Sequence, residues 1–156
     1  MQKIIRISLV VIWMIIIFSF SQVNGEKSGS SSIKLIKDSV ININCFLVKI
    51  KIAKPLSDKR ATKMAEFLNY PVRKAMHISE YFILALLLYW TIILYKNKKT
   101  YLLTFLISVL YAISDEIHQL FTARTSSFKD VLIDTIGIIF AIMFIEIVKK
   151  IKTQNE

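Results

Sequence analysis

Four long apolar blocks, near residues 4–20, 78–95, 101–121 and 131–148, constrain this chain more than any other feature. Each is close to the roughly 20 residues that cross the hydrocarbon of a bilayer, the first at the short end. The 156 residues are 54% hydrophobic with only 3 Gly and 2 Pro, and the apolar residues fall in blocks rather than in an even mixture. A lipid-embedded backbone has to satisfy its own polar groups, so blocks of this length read as helices. The expected fold is all-α: an integral membrane bundle of about four transmembrane helices, forming a single domain over residues 1–156. The first block, behind Lys3 and Arg6, has a signal peptide as its alternative. Val23-Asn24-Gly25 is a poor cleavage site, so a retained helix is the expectation. Four spans put both termini on one side.

The formal charge is +10, with the Lys and Arg residues between or beside the blocks, where they orient helices and meet anionic headgroups. Membrane lipids are the expected partner. Nucleic acid is not, because no basic groove with interleaved aromatics is present. The single Cys45 excludes an intrachain disulfide and any multi-cysteine metal site. Lys3 and Arg6, the turn with Lys96, Lys98 and Lys99, and the tail with Lys149, Lys150 and Lys152 share one side, which the positive-inside rule makes cytoplasmic. The connector over about residues 22–72 carries its own basic residues to the other side, but it is near the length at which that rule loses force.

That connector is too long for a bare loop. Its 25–32 stretch is rich in Gly and Ser and reads as flexible. Ile36, Val40, Ile43, Leu47 and Ile50 then recur every three or four residues opposite Lys34, Asp38, Asn42, Lys49 and Lys51, the pattern of an amphipathic interfacial helix. Alternation of Ile41, Ile43 and Cys45 leaves a strand as the lesser reading. Ser57 or Asp58 is placed to cap a second short helix through Leu68, with Ala61, Met64, Ala65 and Leu68 on its apolar face, and Pro71 marks the approach to the second span.

Successive spans run in opposite directions, so the polar residues within them gather at one membrane face. Span one ends there with Ser19, Ser21 and Gln22, and span two begins there with Arg73, Lys74, His77, Glu80 and Tyr81. Span three ends there with Ser114, Asp115, Glu116, His118 and Gln119; Arg124 follows in the turn, and span four begins with Asp130 and Asp134. Helical spacing aligns Arg73, His77 and Glu80 or Tyr81, and likewise Tyr111, Asp115 and His118 or Gln119. A carboxylate in hydrocarbon costs about 2.5–3.5 kcal/mol on insertion scales, which turns Glu80, Asp115, Glu116 and Asp134 toward neighbouring helices. Arg73 and Arg124 pairing with these acids, purely to hold the bundle, is one reading. A zinc site from His77, Glu80 and His118 or Asp115 is another, but such spacings are common by chance, and neither a metal nor a cofactor is expected. A third is acid–base catalysis, with Glu80, Glu116, His77 and His118 as candidates. No phosphate-binding glycine loop, nucleophile elbow or His-Glu-x-x-His motif is present.

The run Arg73-Lys74-Ala75-Met76-His77-Ile78-Ser79-Glu80-Tyr81 resembles the RK-x-x-H-x-x-E-Y signature of VanZ-like proteins. Residues 111–121, YAISDEIHQLF, followed by Arg124, Asp130, Asp134 and Gly137, resemble that family's YA-x-SDE-x-HQ-x-F…R…D-x-x-x-D-x-x-G run. The likeness extends to Trp13 and to the end of span one, 18–22. Thr122-Ala123 and Ile138-Ile139 depart from it. The resemblance implies an all-helical protein of the bacterial envelope, in a family whose named member is associated with resistance to the glycopeptide teicoplanin. It supplies no reaction. The expected function is binding of an anionic lipid or cell-wall precursor headgroup at the outer face. Arg73, Lys74 and Arg124 would contact phosphate, and His77, Glu80, Asp115, Glu116, His118 and Asp134 would shape the pocket. The alternative is an intramembrane hydrolase or transferase acting on a lipid-linked substrate.

Overall fold

The computed structural model describes residues 1–21, 25–96, 98–121 and 128–154, the side chains of 25–29 aside. Helix α1 spans Gln2–Ser21, α2 Gly25–Lys49, α3 Asp58–Ile92, α4 Thr100–Gln119 and α5 Phe128–Gln154. No strand occurs among the described residues. Four of these helices, α1, α3, α4 and α5, are long and apolar enough to cross a membrane, so the chain is a multi-pass membrane protein. It divides into two compact units, Met1–Val23 with Met76–Glu156, and Asn24–Ala75.

In the first unit α1, the later part of α3, α4 and α5 share one apolar core. Val10, Ile17, Tyr81, Leu84, Ala85, Leu88, Ala112, Val131, Ile138 and Ala141 form it, while large residues such as Ile4, Leu110 and Phe140 stay on the outside. In water that would be a liability. In lipid the outside is as apolar as the inside, and close packing of small residues holds helices together. Gly137 shows how close: a Cβ there would overlap the carbonyl oxygen of Ile78 and stand 3.0 Å from its carbonyl carbon. Only glycine lets α5 approach the α3 backbone at that level. The first apolar block is built into this bundle, since the Trp13 indole donates to the carbonyl of Glu80 at 3.0 Å and the Tyr111 hydroxyl to that of Met14 at 2.6 Å.

Helix α3 passes into a 3-10 turn, Ile93–Tyr95, closed by Lys96 in the left-handed region at φ 50°. At this end of the bundle cations lie over aromatic rings. The Lys3 ammonium sits 4.8 Å from the Tyr95 ring centre, the Arg6 guanidinium 4.1 Å from Trp90, and Lys149 4.7 Å from Tyr101 and 5.3 Å from Tyr89.

In the second unit α2 ends in a turn where Lys51 takes φ 60° and the Ile52 N–H reaches back to the carbonyl of Leu47 at 2.9 Å, a Schellman-type stop usually given to glycine. Asn44 fastens the following strap: its amide donates to the Lys54 carbonyl at 3.2 Å, and its oxygen accepts from the Leu56 N–H at 2.9 Å. Lys37 pairs with Asp58 at 2.7 Å.

Two expectations for the connector change. The 25–32 stretch is helical, the start of α2; serine costs a helix only about 0.5 kcal/mol, which the apolar turns downstream outweigh. The short helix ending at Leu68 does not stop. It continues as α3 with Pro71 inside, because a proline forfeits one hydrogen bond and crowds one carbonyl, a defect a long helix absorbs. Of the expected apolar face of α2, Ile36, Val40 and Leu47 are half-buried, whereas Ile43 and Ile50 are exposed.

Candidate functional site

The antiparallel order of the spans brings the ends of α1 and α4 and the starts of α5 and the second part of α3 to one end of the bundle. Three carboxylates are buried there: Asp115, Glu116 and Asp134, at 4%, 6% and 1% exposure. Glu80 is half-buried beside them in sequence register with His77.

His77 is the hub of the described contacts. Its Nδ1 lies 3.5 Å from Asp134 Oδ1 and 4.0 Å from Glu80 Oε2. The Asp134 contact follows from Gly137. Asp134 precedes that glycine by three residues and His77 precedes Ile78 by one, so the close approach of α5 to α3 places carboxylate against imidazole. A carboxylate on one ring nitrogen of a histidine fixes the orientation of the ring.

On α4, Gln119 donates through Nε2 to Asp115 Oδ2 at 3.0 Å, a buried hydrogen bond one helical turn long. His118 is used differently from His77: its ring packs against Phe18 of α1 at 4.4 Å between centres. Among the described residues no three His, Cys, Asp or Glu side chains converge as a metal site. Tyr81 is fully buried, with its ring centre 6.3 Å from that of Tyr111.

The structure thus brings His77, Glu80, Tyr81, Asp115, Glu116, His118, Gln119 and Asp134 to one end of the first unit. Asp130 stands half-buried in the first turn of α5, where an acid is favoured by the helix dipole. Ser114 is exposed and donates back to the Tyr111 carbonyl at 2.7 Å. Arg73 and Lys74 are half-buried in the second unit, where the Lys74 ammonium lies 5.4 Å from the Tyr70 ring centre. Arg124 lies outside the described residues.

Two features were not read from the sequence. One is the aromatic set that accompanies the basic residues at the opposite end; Trp90, Tyr95 and Tyr101 beside Lys and Arg are the signal of an interfacial belt. The other is a buried polar line along α4 at Thr100, Thr104 and Ser108, whose signal is a spacing of four residues that continues to Glu116.

Fold and site together define a small multi-pass helical membrane protein with a buried acid and histidine cluster at one end. The chain matches the VanZ/LLP1 family over residues 6–149 and belongs to that family. No curated protein and no solved structure matches it.

Proposed function

We propose that the cluster end of the bundle receives the anionic headgroup of a lipid or of a lipid-linked cell-wall precursor at the outer membrane face, and that this VanZ-like protein thereby contributes to glycopeptide resistance. One observation carries the reading: Asp115, Glu116 and Asp134 are buried at the end of a four-span bundle with His77 against Asp134. Ionisable groups at such depth are costly and mark functional sites by default. In this reading the acids and histidines orient the headgroup, and Arg73, Lys74 and Arg124 are the residues expected to supply the positive charge that a phosphate requires. The basic end with Lys3, Lys149 and Lys150 is then cytoplasmic, along with both termini.

The test is binding of phosphatidylglycerol and of a lipid-linked cell-wall precursor to the purified chain in detergent. Arg73→Ala and Arg124→Ala should each weaken binding about tenfold, the weight of one charge-assisted contact of about 1.4 kcal/mol. Retained affinity in both variants defeats the proposal. Labelling of single cysteines at positions 77, 98 and 124 checks the orientation, with 98 expected to react from inside and 124 from outside. Expression in a susceptible host should raise the teicoplanin concentration that stops growth.

A second reading is favoured by the His77 contacts with Asp134 and Glu80: an intramembrane hydrolase or transferase, with Glu80 or Glu116 as the base and a histidine as its partner. It expects Glu80→Gln or Glu116→Gln to abolish turnover of a lipid-linked substrate with folding intact.

A further inference from the structure

Hydroxyl groups inside a lipid-embedded helix ordinarily turn back onto the carbonyl one turn earlier. Ser19, Thr91 and Thr135 do so here, donating to Ile15, Leu87 and Val131 at 2.7, 2.8 and 2.7 Å. Thr104 and Ser108 on α4 do not. Both are fully buried, and neither hydroxyl has a hydrogen-bond partner. The Tyr81 hydroxyl of α3 is buried without a partner as well. Three such donors in one small bundle leave a large desolvation cost unanswered unless water reaches them.

Their placement is regular. Thr100, Thr104, Ser108, Ala112 and Glu116 follow one another at every fourth residue and are all buried. Four residues of helix advance about 6 Å, a distance that one water with two hydrogen bonds of about 2.8 Å spans. The single apolar step is Ala112. Tyr81 stands at its level, since it lies one turn from His77 as Ala112 lies one turn from Glu116, and its ring meets that of Tyr111. Beyond Thr100 the line reaches Tyr101, whose ring lies 5.2 Å from that of Tyr89 under the Lys149 ammonium, at the basic end of the bundle.

We propose that this line is a hydrated proton path along α4, which joins the acid and histidine cluster to the opposite membrane face. A proton enters at one end, hops between waters held by Tyr81, Ser108 and Thr104, and leaves at the other, so that one positive charge crosses per event and nothing else is consumed. Such a single file of waters would pass a proton but not a hydrated metal cation. The inference stands apart from headgroup binding, because it rests on residues between the two ends.

The full chain in phosphatidylcholine vesicles, with a pH-sensing dye inside and a potassium gradient opened by valinomycin, measures it directly. Vesicles carrying the protein should change internal pH several-fold faster than empty ones. Thr104→Val combined with Ser108→Ala, which remove two hydroxyls and little volume, should return the rate to that of empty vesicles while the thermal unfolding midpoint is held or raised. Thr104→Ser should keep the wild-type rate. Equal rates for loaded and empty vesicles, or an undiminished rate in the folded double variant, overturn the proposal.

Discussion

The two ends of the transmembrane bundle meet the same difficulty, charge at a membrane boundary, in opposite ways. At the basic end Lys3, Arg6 and Lys149 keep their charges outside and lay them over Tyr95, Trp90 and the Tyr101 and Tyr89 pair. At the other end Asp115, Glu116 and Asp134 are carried inside and held by His77, Gln119 and close helix packing. Side-chain length decides which solution is open. A lysine or arginine stem reaches from the hydrocarbon edge to the headgroups; aspartate within a span does not, so it needs partners within the protein. The acidic end is therefore specified by its contacts, the basic end by its reach.

That contrast is broken most directly at His77. Removing one partner of a buried pair strands the other, at about 3 kcal/mol or more. His77→Ala should lower the stability of the purified chain in detergent by that amount, read from chemical unfolding. A loss below about 1 kcal/mol, the range of exposed pairs, would make the two ends alike and the contrast empty.

Gly137→Ala sharpens the same contrast without touching a charge. The added methyl meets the backbone carbonyl of Ile78, not a flexible side-chain end, so α5 must move away from α3. Overpacking of this kind costs about 1–3 kcal/mol, and it separates Asp134 from His77 as well. The variant should unfold earlier, and adding His77→Ala to it should cost less than His77→Ala alone, because both act on one contact. Full additivity in that cycle would show that the glycine does not set the pair.

Much of this is legible in the sequence. Four spans follow from block length alone, and the antiparallel order of short-looped spans forces Asp115, Glu116, Asp134 and His77 to one end. What periodicity hid were events set by packing. The partner of His77 depends on how closely two backbones approach at Gly137, which no spacing along a single helix reveals. The continuation of α3 through Pro71 means that a penalty of about 3 kcal/mol is outweighed within a helix of 35 residues, against a rule that reads proline as a boundary. The different uses of His77 and His118 depend on which neighbour each ring meets, Asp134 in one case and Phe18 in the other.

The smallest effect belongs to the basic end, and it is the one that separates reach from contact. Lys149→Met keeps the apolar stem and removes the ammonium from the faces of Tyr101 and Tyr89. A cation over a ring at an exposed site contributes about 0.5–1 kcal/mol, so unfolding in detergent should shift by no more than that. Lys149→Arg should restore the value, because a guanidinium on the same face does the same work. If Lys149→Met instead costs as much as His77→Ala, the basic end is held by contacts as specific as those of the acidic end, and side-chain length is not what divides them.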